Sequence, residues 1–229
     1  IYNTDGSVSR DLWIFDSFIK SNWPSFIYSH PSGCDPAHIN SVEGVTETIA
    51  ELIAGVEVGD LLVSVREPSV VAILDGQNGE VKYATAGRTA AQHGPQFLPD
   101  GSVVIFDNRG GNPALGGTRI MHIDMQTGAA NVAFPQREEG PAMPFSSHDG
   151  GHVAVSPDGQ RVMVSSKQQS RVFKFELETG EVLWEMAHCM SMKPYLQKLD
   201  REAEADNACF RTYGTYYLDN VPFLKTTTQ

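Results

Sequence analysis

Residues 97–108 read FLPDGSVVIFDN, in which two apolar segments flank a Pro-Asp-Gly turn. Residues 153–166, VAVSPDGQRVMVSS, follow the same plan, and residues 58–66, VGDLLVSVR, contain the turn and the second segment. Short apolar segments separated by turn residues are typical of antiparallel β-hairpins. The chain is therefore predicted to be an all-β protein built from a repeated unit.

Each copy of the unit continues into two further apolar strands, which are separated by a second turn. The glycines of these second turns are Gly79, Gly128 and Gly180, which lie 49 and 52 residues apart. Four-stranded units at this period are typical of β-propeller blades. We therefore predict three blades, at about 38–87, 92–135 and 148–188.

The segments outside the three blades are assigned from their residue patterns. Residues 1–37 are interpreted as the end of a preceding blade, with a strand at Leu12–Asp16, followed by a loop. Residues 45–58 interrupt the first blade as either a strand extension or a short helical turn. Residues 189–229 are predicted to be a C-terminal extension with a short helical stretch near Pro194–Ala205.

A closed propeller has about four to eight blades, which is more than the three predicted. Residues 1–229 are therefore expected to be a single propeller domain or the C-terminal portion of a larger one. The chain opens on Ile1 rather than Met, which a removed leader or a longer upstream segment would explain equally well. Its open sheet edges would then need another segment or another chain to cover them.

The chain carries a formal net charge of −11, from 17 basic and 28 acidic residues. This excess of acidic residues argues against nucleic acid or an anionic membrane as a partner. No apolar run approaches the roughly 18 residues of a membrane span. The cysteines Cys34, Cys189 and Cys209 lack zinc-site spacing. Cys189 and Cys209 could form a disulfide, and three cysteines leave the redox compartment open.

Polar residues recur at equivalent points of the blades. Aligning the turn glycines of the three units places Arg66, Asn108 and Ser166 at the ends of equivalent apolar strands. The first strand of a propeller blade lines the central channel, so residues at its start gather at one mouth of that channel. We therefore predict one polar cluster, formed by His38, Asn40, Arg66, His93 and Asn108. His148 and Asp149 are interpreted as a solvated loop, and Arg66 could instead pair with Glu67.

Several short motifs fall at these residues in a fixed order. Residues 35–41 read DPAHINS, residues 59–66 read GDLLVSVR, residues 92–93 read QH, and residues 106–108 read FDN. In order and approximate spacing they resemble the arylsulfotransferase family, propeller enzymes that use no nucleotide sulfate donor. The resemblance covers about residues 35–185. Pro36 departs from the family pattern, which has an aromatic residue there, and the insertion at 45–58 is longer than usual.

The resemblance implies transfer of a sulfuryl group from an aryl sulfate ester to a phenol through a sulfohistidine. His93 would be the nucleophile and His38 the acid for the departing phenolate, while Asn40, Arg66 and Asn108 would bind substrate. Neutral imidazole is available near pH 7 and can form such covalent intermediates. No metal or other cofactor is required, and family members are mostly exported, which implies a secreted or periplasmic protein.

Two other functions agree with the same fold, since a propeller does not determine its own function. The first is a non-catalytic propeller that serves as a binding or scaffold module in a larger, extracellular assembly. The second is a propeller hydrolase or lactonase, in which Asp, Glu and Asn side chains bind a divalent metal. The candidate channel residues are mainly His, Asn and Arg, which disfavours the second.

Overall fold

The computed structural model describes residues 1, 3–28, 35–109, 117–136, 147–167 and 169–187. The predicted C-terminal helical stretch and all three cysteines lie outside these residues. Within them the chain forms three four-stranded antiparallel sheets and three short helices. None of the described helices has the length and hydropathy that crossing a membrane requires.

Each sheet is a meander whose strands pair in chain order. The first sheet contains β1 (Ile39–Gly44), β2 (Leu61–Val65), β3 (Val70–Leu74) and β4 (Val81–Ala86). The second contains β5 (His93–Phe97), β6 (Val103–Asp107), β7 (Arg119–Ile123) and β8 (Ala130–Phe134). The third contains β9 (His152–Val155), β10 (Arg161–Ser166), β11 (Arg171–Glu176) and β12 (Val182–Ala187).

The turns between third and fourth strands explain the spacing of the repeat. In the first sheet, Asp75 Oδ1 accepts the N–H groups of Gln77 and Asn78, at 2.7 and 2.9 Å. Gly79 then reverses the chain with a φ of 78°, a left-handed conformation that favours glycine. Gly128 and Gly180 have φ values of 71° and 67° at the same points of the other sheets. The repeat is therefore set by local turn chemistry.

The sheets pack face to face in succession. Leu62 and Ile73 of the first sheet share an apolar core with Ile105 of the second. Phe106 of the second sheet shares another core with Val164 and Phe173 of the third. The first strands of successive sheets, β1, β5 and β9, contact one another. Three sheets arranged side by side with their first strands together form a partial β-propeller, so the predicted fold class is confirmed.

The predicted strand at Leu12–Asp16 is wrong. The chain there enters α1 (Ile14–Ile19), which is followed by α2 (Ser25–Tyr28). Phe18 is buried against the face of the first sheet that contains Val63 and Ala72. Ile14 and Phe18 lie four residues apart, so a helix presents both to that face. Helix α1 therefore covers a sheet face that a preceding blade would otherwise cover.

The insertion in the first blade is helical rather than a strand extension. Helix α3 (Glu47–Leu52) lies between β1 and β2. Ile49 and Ile53 are buried in the core shared by the first and second sheets. The insertion thus adds apolar surface between two blades.

Side chains of the inner strands also join successive sheets. Glu43 Oε2 accepts the N–H of Phe97 at 3.3 Å, and Gln96 Oε1 accepts the N–H of Val155 at 3.0 Å. The two contacts are equivalent, since each joins a first strand to the first strand of the next sheet. Burial raises the pKa of Glu43 to about 7 because its carboxylate is poorly solvated.

We expect Glu43→Gln to stabilise the protein at alkaline pH. A carboxyl whose pKa rises from 4.5 to about 7 stabilises the fold below pH 4.5, and this contribution is lost as the pH rises through 7. Gln stays neutral and can accept the same N–H, as Gln96 does. The free energy of unfolding should rise by about 1–2 kcal/mol at pH 8 and change much less at pH 4.

Urea denaturation at both pH values measures this effect. The exposed Glu178→Gln serves as the control and should change the free energy of unfolding by less than about 0.5 kcal/mol. An equal effect of Glu43→Gln at pH 4 and pH 8 would contradict the account of Glu43.

Candidate active site

A cavity of about 680 Å³ lies where the first strands of the three sheets meet. Its volume is within the range of small-molecule sites. All three sheets or the segments next to them contribute polar side chains to its wall: His38, Asn40, Arg66, His93, Asp149, His152 and Lys167. The structure therefore brings four of the five predicted cluster residues to one cavity.

His93, at the start of β5, is held in one orientation by Asn108. Asn108 Nδ2 donates to the carbonyl oxygens of Ser147 and Gly150, both at 2.8 Å. The amide nitrogen is thereby fixed, and Asn108 Oδ1 faces Nδ1 of His93 at 2.7 Å. An amide oxygen only accepts hydrogen bonds, so Nδ1 must carry the proton. The lone pair of the imidazole is consequently on Nε2.

The segment 147–151 holds the other side of the imidazole. Ser147 is buried, and its N–H donates to Thr118 Oγ1 at 2.8 Å. Its hydroxyl donates to the carbonyl of Gly150 at 3.0 Å. The N–H of Gly150 in turn donates to Nε2 of His93 at 3.3 Å. A long bond of this kind leaves Nε2 able to react while it keeps the ring in place.

Burial lowers the pKa of His93 below its ordinary 6.5, and the nearby Arg66 and His38 charges lower it further. The hydrogen bond to Asn108 opposes this shift in pKa without cancelling it. His93 is therefore neutral at pH 7. A neutral imidazole with its lone pair on Nε2 is a competent nucleophile.

His38 lies at the rim of the cavity in a left-handed conformation, with a φ of 46°. Its Nδ1 lies 2.9 Å from Asp35 Oδ2, and its N–H donates to Asp35 Oδ1 at 3.0 Å. Its side chain is 45% exposed, so it can exchange protons with solvent. Asp35 thus holds both the ring and the backbone of His38 at the rim.

Arg66 fits both interpretations given from the sequence. Its guanidinium pairs with Glu67 and also lines the cavity. The backbone N–H of Arg66 donates to the carbonyl of His38 at 3.1 Å, which joins the rim of the cavity to the end of β2. Its side chain is 18% exposed, so its charge acts in a partly desolvated site.

Asn40 is held by the residue that precedes His93. Its Nδ2 donates to the carbonyl of Gln92 at 2.7 Å, which leaves one N–H of the amide for another acceptor. Its Oδ1 is buried and has no hydrogen-bond partner among the described residues. Asn40 can therefore offer a ligand one neutral donor.

Gln92 is fully buried and joins the first two sheets. Its Nε2 donates to the carbonyls of Val65 and Val70, at 3.2 and 3.1 Å, and its Oε1 accepts from Thr89. These bonds fix the chain directly before His93. In the Gln-His pair, Gln92 is thus a positioning residue for the imidazole of His93.

Asn108 differs from its predicted role as a substrate-binding residue. It is fully buried and is absent from the cavity wall. Its oxygen faces His93, and both hydrogens of its amide are taken by backbone carbonyls. No group of the side chain remains for a substrate, so the structure makes Asn108 a positioning residue for His93.

The third sheet also contributes residues to the cavity wall that were not predicted from the sequence. Lys167 lines the cavity and pairs with Asp149 at 3.0 Å. His152 lines it too, and burial lowers the pKa of this histidine. Lys167 directly follows Ser166, which the repeat aligns with Arg66 and Asn108, so the alignment contained a signal for it. His148, in contrast, is exposed.

We expect Gly151→Ala to destabilise the loop beside His93. Gly151 has a φ of 128°, and a Cβ there would overlap the ring of buried Phe106. The backbone strain at this φ and the overlap with Phe106 both destabilise the variant, so the free energy of unfolding should fall by about 2–4 kcal/mol. The matched control is Gly128→Ala, where φ is 71° and the added Cβ meets nothing within 4 Å. That change should cost about 1 kcal/mol. Urea denaturation compares them, and equal losses would contradict the packing described.

Among the described residues, no three His, Cys, Asp or Glu side chains are grouped so that they could hold a metal ion. The cavity wall thus holds the neutral imidazole of His93, two further imidazoles, of His38 and His152, and the cations Arg66 and Lys167.

A family model described as arylsulfotransferase (ASST) matches residues 20–188. No curated protein matches the chain. Among solved structures, the WD40 β-propeller domain of Doa1 is 14% identical, with a TM-score of 0.44 over 65% of this chain and 40% of that one. Selenomethionine-substituted virginiamycin B lyase from Staphylococcus aureus is 12% identical, with a TM-score of 0.45 over 81% of this chain and 47% of that one. The chain thus spans less than half the length of either structure.

Proposed function

Since this chain belongs to the arylsulfotransferase family, we propose that its cavity transfers a sulfuryl group from an aryl sulfate ester to a phenol through His93. The observation that carries the proposal is the hydrogen bond between His93 Nδ1 and Asn108 Oδ1, at 2.7 Å. It leaves the lone pair on Nε2, beside the N–H of Gly150 at the cavity wall.

In the first step, the Nε2 lone pair attacks the sulfur of the aryl sulfate. The N–S bond forms as the bond from sulfur to the aryl oxygen breaks, and the electron pair of that bond leaves on the phenolate. Protonated His38 donates a proton to this oxygen and becomes neutral. The proton on Nδ1 of His93 stays with its hydrogen bond to Asn108. The product phenol departs and a sulfohistidine remains.

In the second step, the acceptor phenol binds where the first phenol left. Neutral His38 takes its proton as the phenol oxygen attacks the sulfur. The N–S bond breaks and its electron pair returns to Nε2, which restores the neutral imidazole. Both histidines thus end in the protonation states in which they began.

Charge stabilisation by fixed groups supports this reaction, because sulfuryl transfer resembles phosphoryl transfer in needing position and electrostatics. The Arg66 guanidinium presents a planar set of donors to tetrahedral oxyanions. The remaining N–H of the Asn40 amide adds a neutral donor. The N–H of Gly150 lies 3.3 Å from Nε2, so it can donate to a sulfuryl oxygen once Nε2 is bonded to sulfur.

Two-substrate kinetics with nitrophenyl sulfate as donor and phenol as acceptor test the proposal. Release of nitrophenol should require phenol for turnover, and double-reciprocal plots at several phenol concentrations should be parallel, as for a ping-pong reaction. Intersecting plots would contradict a covalent intermediate. Turnover that phenol does not affect would indicate hydrolysis instead of transfer.

We also propose a cellular location for the protein and a partner that completes the propeller. The family resemblance leads us to expect that it acts outside the cytoplasm, and the number of its blades that another segment or another chain completes the ring. Cell fractionation and size-exclusion chromatography of the native protein test these two expectations.

A further inference from the structure

The cations at the cavity wall each have a carboxylate partner. Arg66 pairs with Glu67, and Lys167 pairs with Asp149 at 3.0 Å. His38 lies 2.9 Å from Asp35. The cavity therefore presents cationic groups to a ligand without a large excess of positive charge.

Of these three pairs, Asp149–Lys167 involves the segment 147–151, which contacts His93. Asp149 directly precedes Gly150, whose N–H donates to Nε2 of His93. The Lys167 side chain lies across the same glycine, since a Cβ at Gly150 would come within 2.5 Å of its Cδ. The absence of a side chain at Gly150 thus allows the lysine to pass against the glycine whose N–H bonds the reacting nitrogen.

The two partners differ in their access to solvent. The Lys167 side chain is 15% exposed and that of Asp149 is 43% exposed. Solvent only partly screens the charges of Lys167 and Asp149. An anionic ligand bound at Nε2 is therefore attracted by the lysine and repelled by the carboxylate.

This combination distinguishes ligands by their charge. An aryl sulfate ester carries one negative charge, whereas an aryl phosphate monoester carries close to two at pH 8, because its second pKa is about 6. A singly charged group can accept a hydrogen bond from Lys167 while Asp149 keeps its place on the lysine. A second charge also meets the Asp149 carboxylate, while Arg66 and His38, the other basic groups of the wall, have carboxylate partners of their own. The carboxylate is thus a repulsive element of the kind that sets specificity.

We propose that the Asp149–Lys167 pair restricts the cavity to singly charged aryl esters and excludes doubly charged aryl phosphates. Lys167 contacts the anionic group, and Asp149 sets the charge that the site accepts. The inference rests on the proposed function, since it takes the cavity to be the sulfuryl site and names the class of donor that enters it.

Calorimetric binding at pH 8 tests the inference with two probes that cannot transfer a sulfuryl group, benzenesulfonate and phenyl phosphate. The wild-type protein should bind benzenesulfonate at least about tenfold more tightly than phenyl phosphate. In Asp149→Asn this preference should shrink by about tenfold, because phenyl phosphate gains more than benzenesulfonate. Lys167→Met should weaken both probes, and Lys167→Arg should retain most of the affinity.

The matched control is Asp16→Asn, which removes the carboxylate from an Asp–Lys pair of similar length, 3.1 Å, on helix α1. It should leave both affinities unchanged. An unchanged preference in Asp149→Asn, or equal wild-type affinities for the two probes, would overturn the inference. Binding of benzenesulfonate in the same experiment would still show that the cavity binds anions, so the proposed function would stand. Absence of binding by both probes would overturn the inference and the proposed function together. A failure of transfer with the charge preference intact would count against the proposed function alone.

Discussion

We expect His93→Ala to lower the rate of nitrophenol release from nitrophenyl sulfate by at least about 10⁴-fold, the order of loss seen when a covalent nucleophile is removed. The substitution removes the only group that the proposed reaction bonds to sulfur. The half-buried side chain leaves a small cavity, so the fold should survive. Initial rates with saturating phenol measure the effect, and circular dichroism confirms that the variant is folded.

His122→Ala is the matched control, since His122 is also partly buried but contacts Ser102 Oγ, at 2.7 Å, away from the cavity. It should retain the wild-type rate within about twofold. Added imidazole enters the cavity left in His93→Ala and should restore part of the nitrophenol release. A folded His93→Ala variant that keeps more than a tenth of the wild-type rate would contradict the role of His93.

Asn108→Ala is expected to affect both activity and stability. Removal of the amide leaves the N–H of His93 without its acceptor and takes one donor from each of the carbonyls of Ser147 and Gly150. Each loss in a buried site is costly, so the free energy of unfolding should fall by about 3–5 kcal/mol. The imidazole also loses its fixed tautomer, and the transfer rate should fall about 10²-fold. Urea denaturation and initial rates measure the two effects. Asn131→Ala, at an exposed position of β8, should change neither.

Asn108→Asp separates orientation from packing. The carboxylate still accepts from Nδ1 of His93 but also stabilises the charged ring, so the pKa of His93 should rise. Activity requires neutral His93 and is lost as the pH falls through this pKa, which burial lowers below 6.5 in the wild type. The acid limb of the kcat/KM profile should therefore move to higher pH in Asn108→Asp. An acid limb at the wild-type position would show that Asn108 does not act on His93.

The blades could be predicted because the signals for them are local. Asp75, Gly79 and their counterparts form turns through bonds between residues two to four apart. Alternating apolar runs on either side then have few other ways to fold. The segment at Leu12–Asp16 lacks such turns, and a short apolar run does not distinguish a strand from a helix. Burial of Phe18 on the first sheet favours the helix, and this contact joins residues far apart in the sequence.

The residues of the cavity wall could be predicted where the aligned repeat marks them directly and were missed where they lie beside a marked position or in a loop. His93 and Arg66 lie on the strand starts and ends that the aligned turns mark out. Asp149 and Lys167 lie 18 residues apart, in the loop before β9 and directly after β10, and the antiparallel pairing of these two strands brings them together. The role of Asn108 depends on carbonyls of that same loop, some 40 residues away. The identity of a polar residue at a strand end does not reveal which of its neighbours takes its hydrogen bonds.

Mass spectrometry of the protein after incubation with nitrophenyl sulfate and without phenol tests the central claim most directly. We expect the intact protein to gain the mass of one SO₃ group. Mild proteolysis at alkaline pH should locate the group on His93, and added phenol should remove it. His122→Ala should carry the group and His93→Ala should lack it. An adduct on another residue, or nitrophenol release with no adduct on folded protein, would contradict sulfuryl transfer through His93.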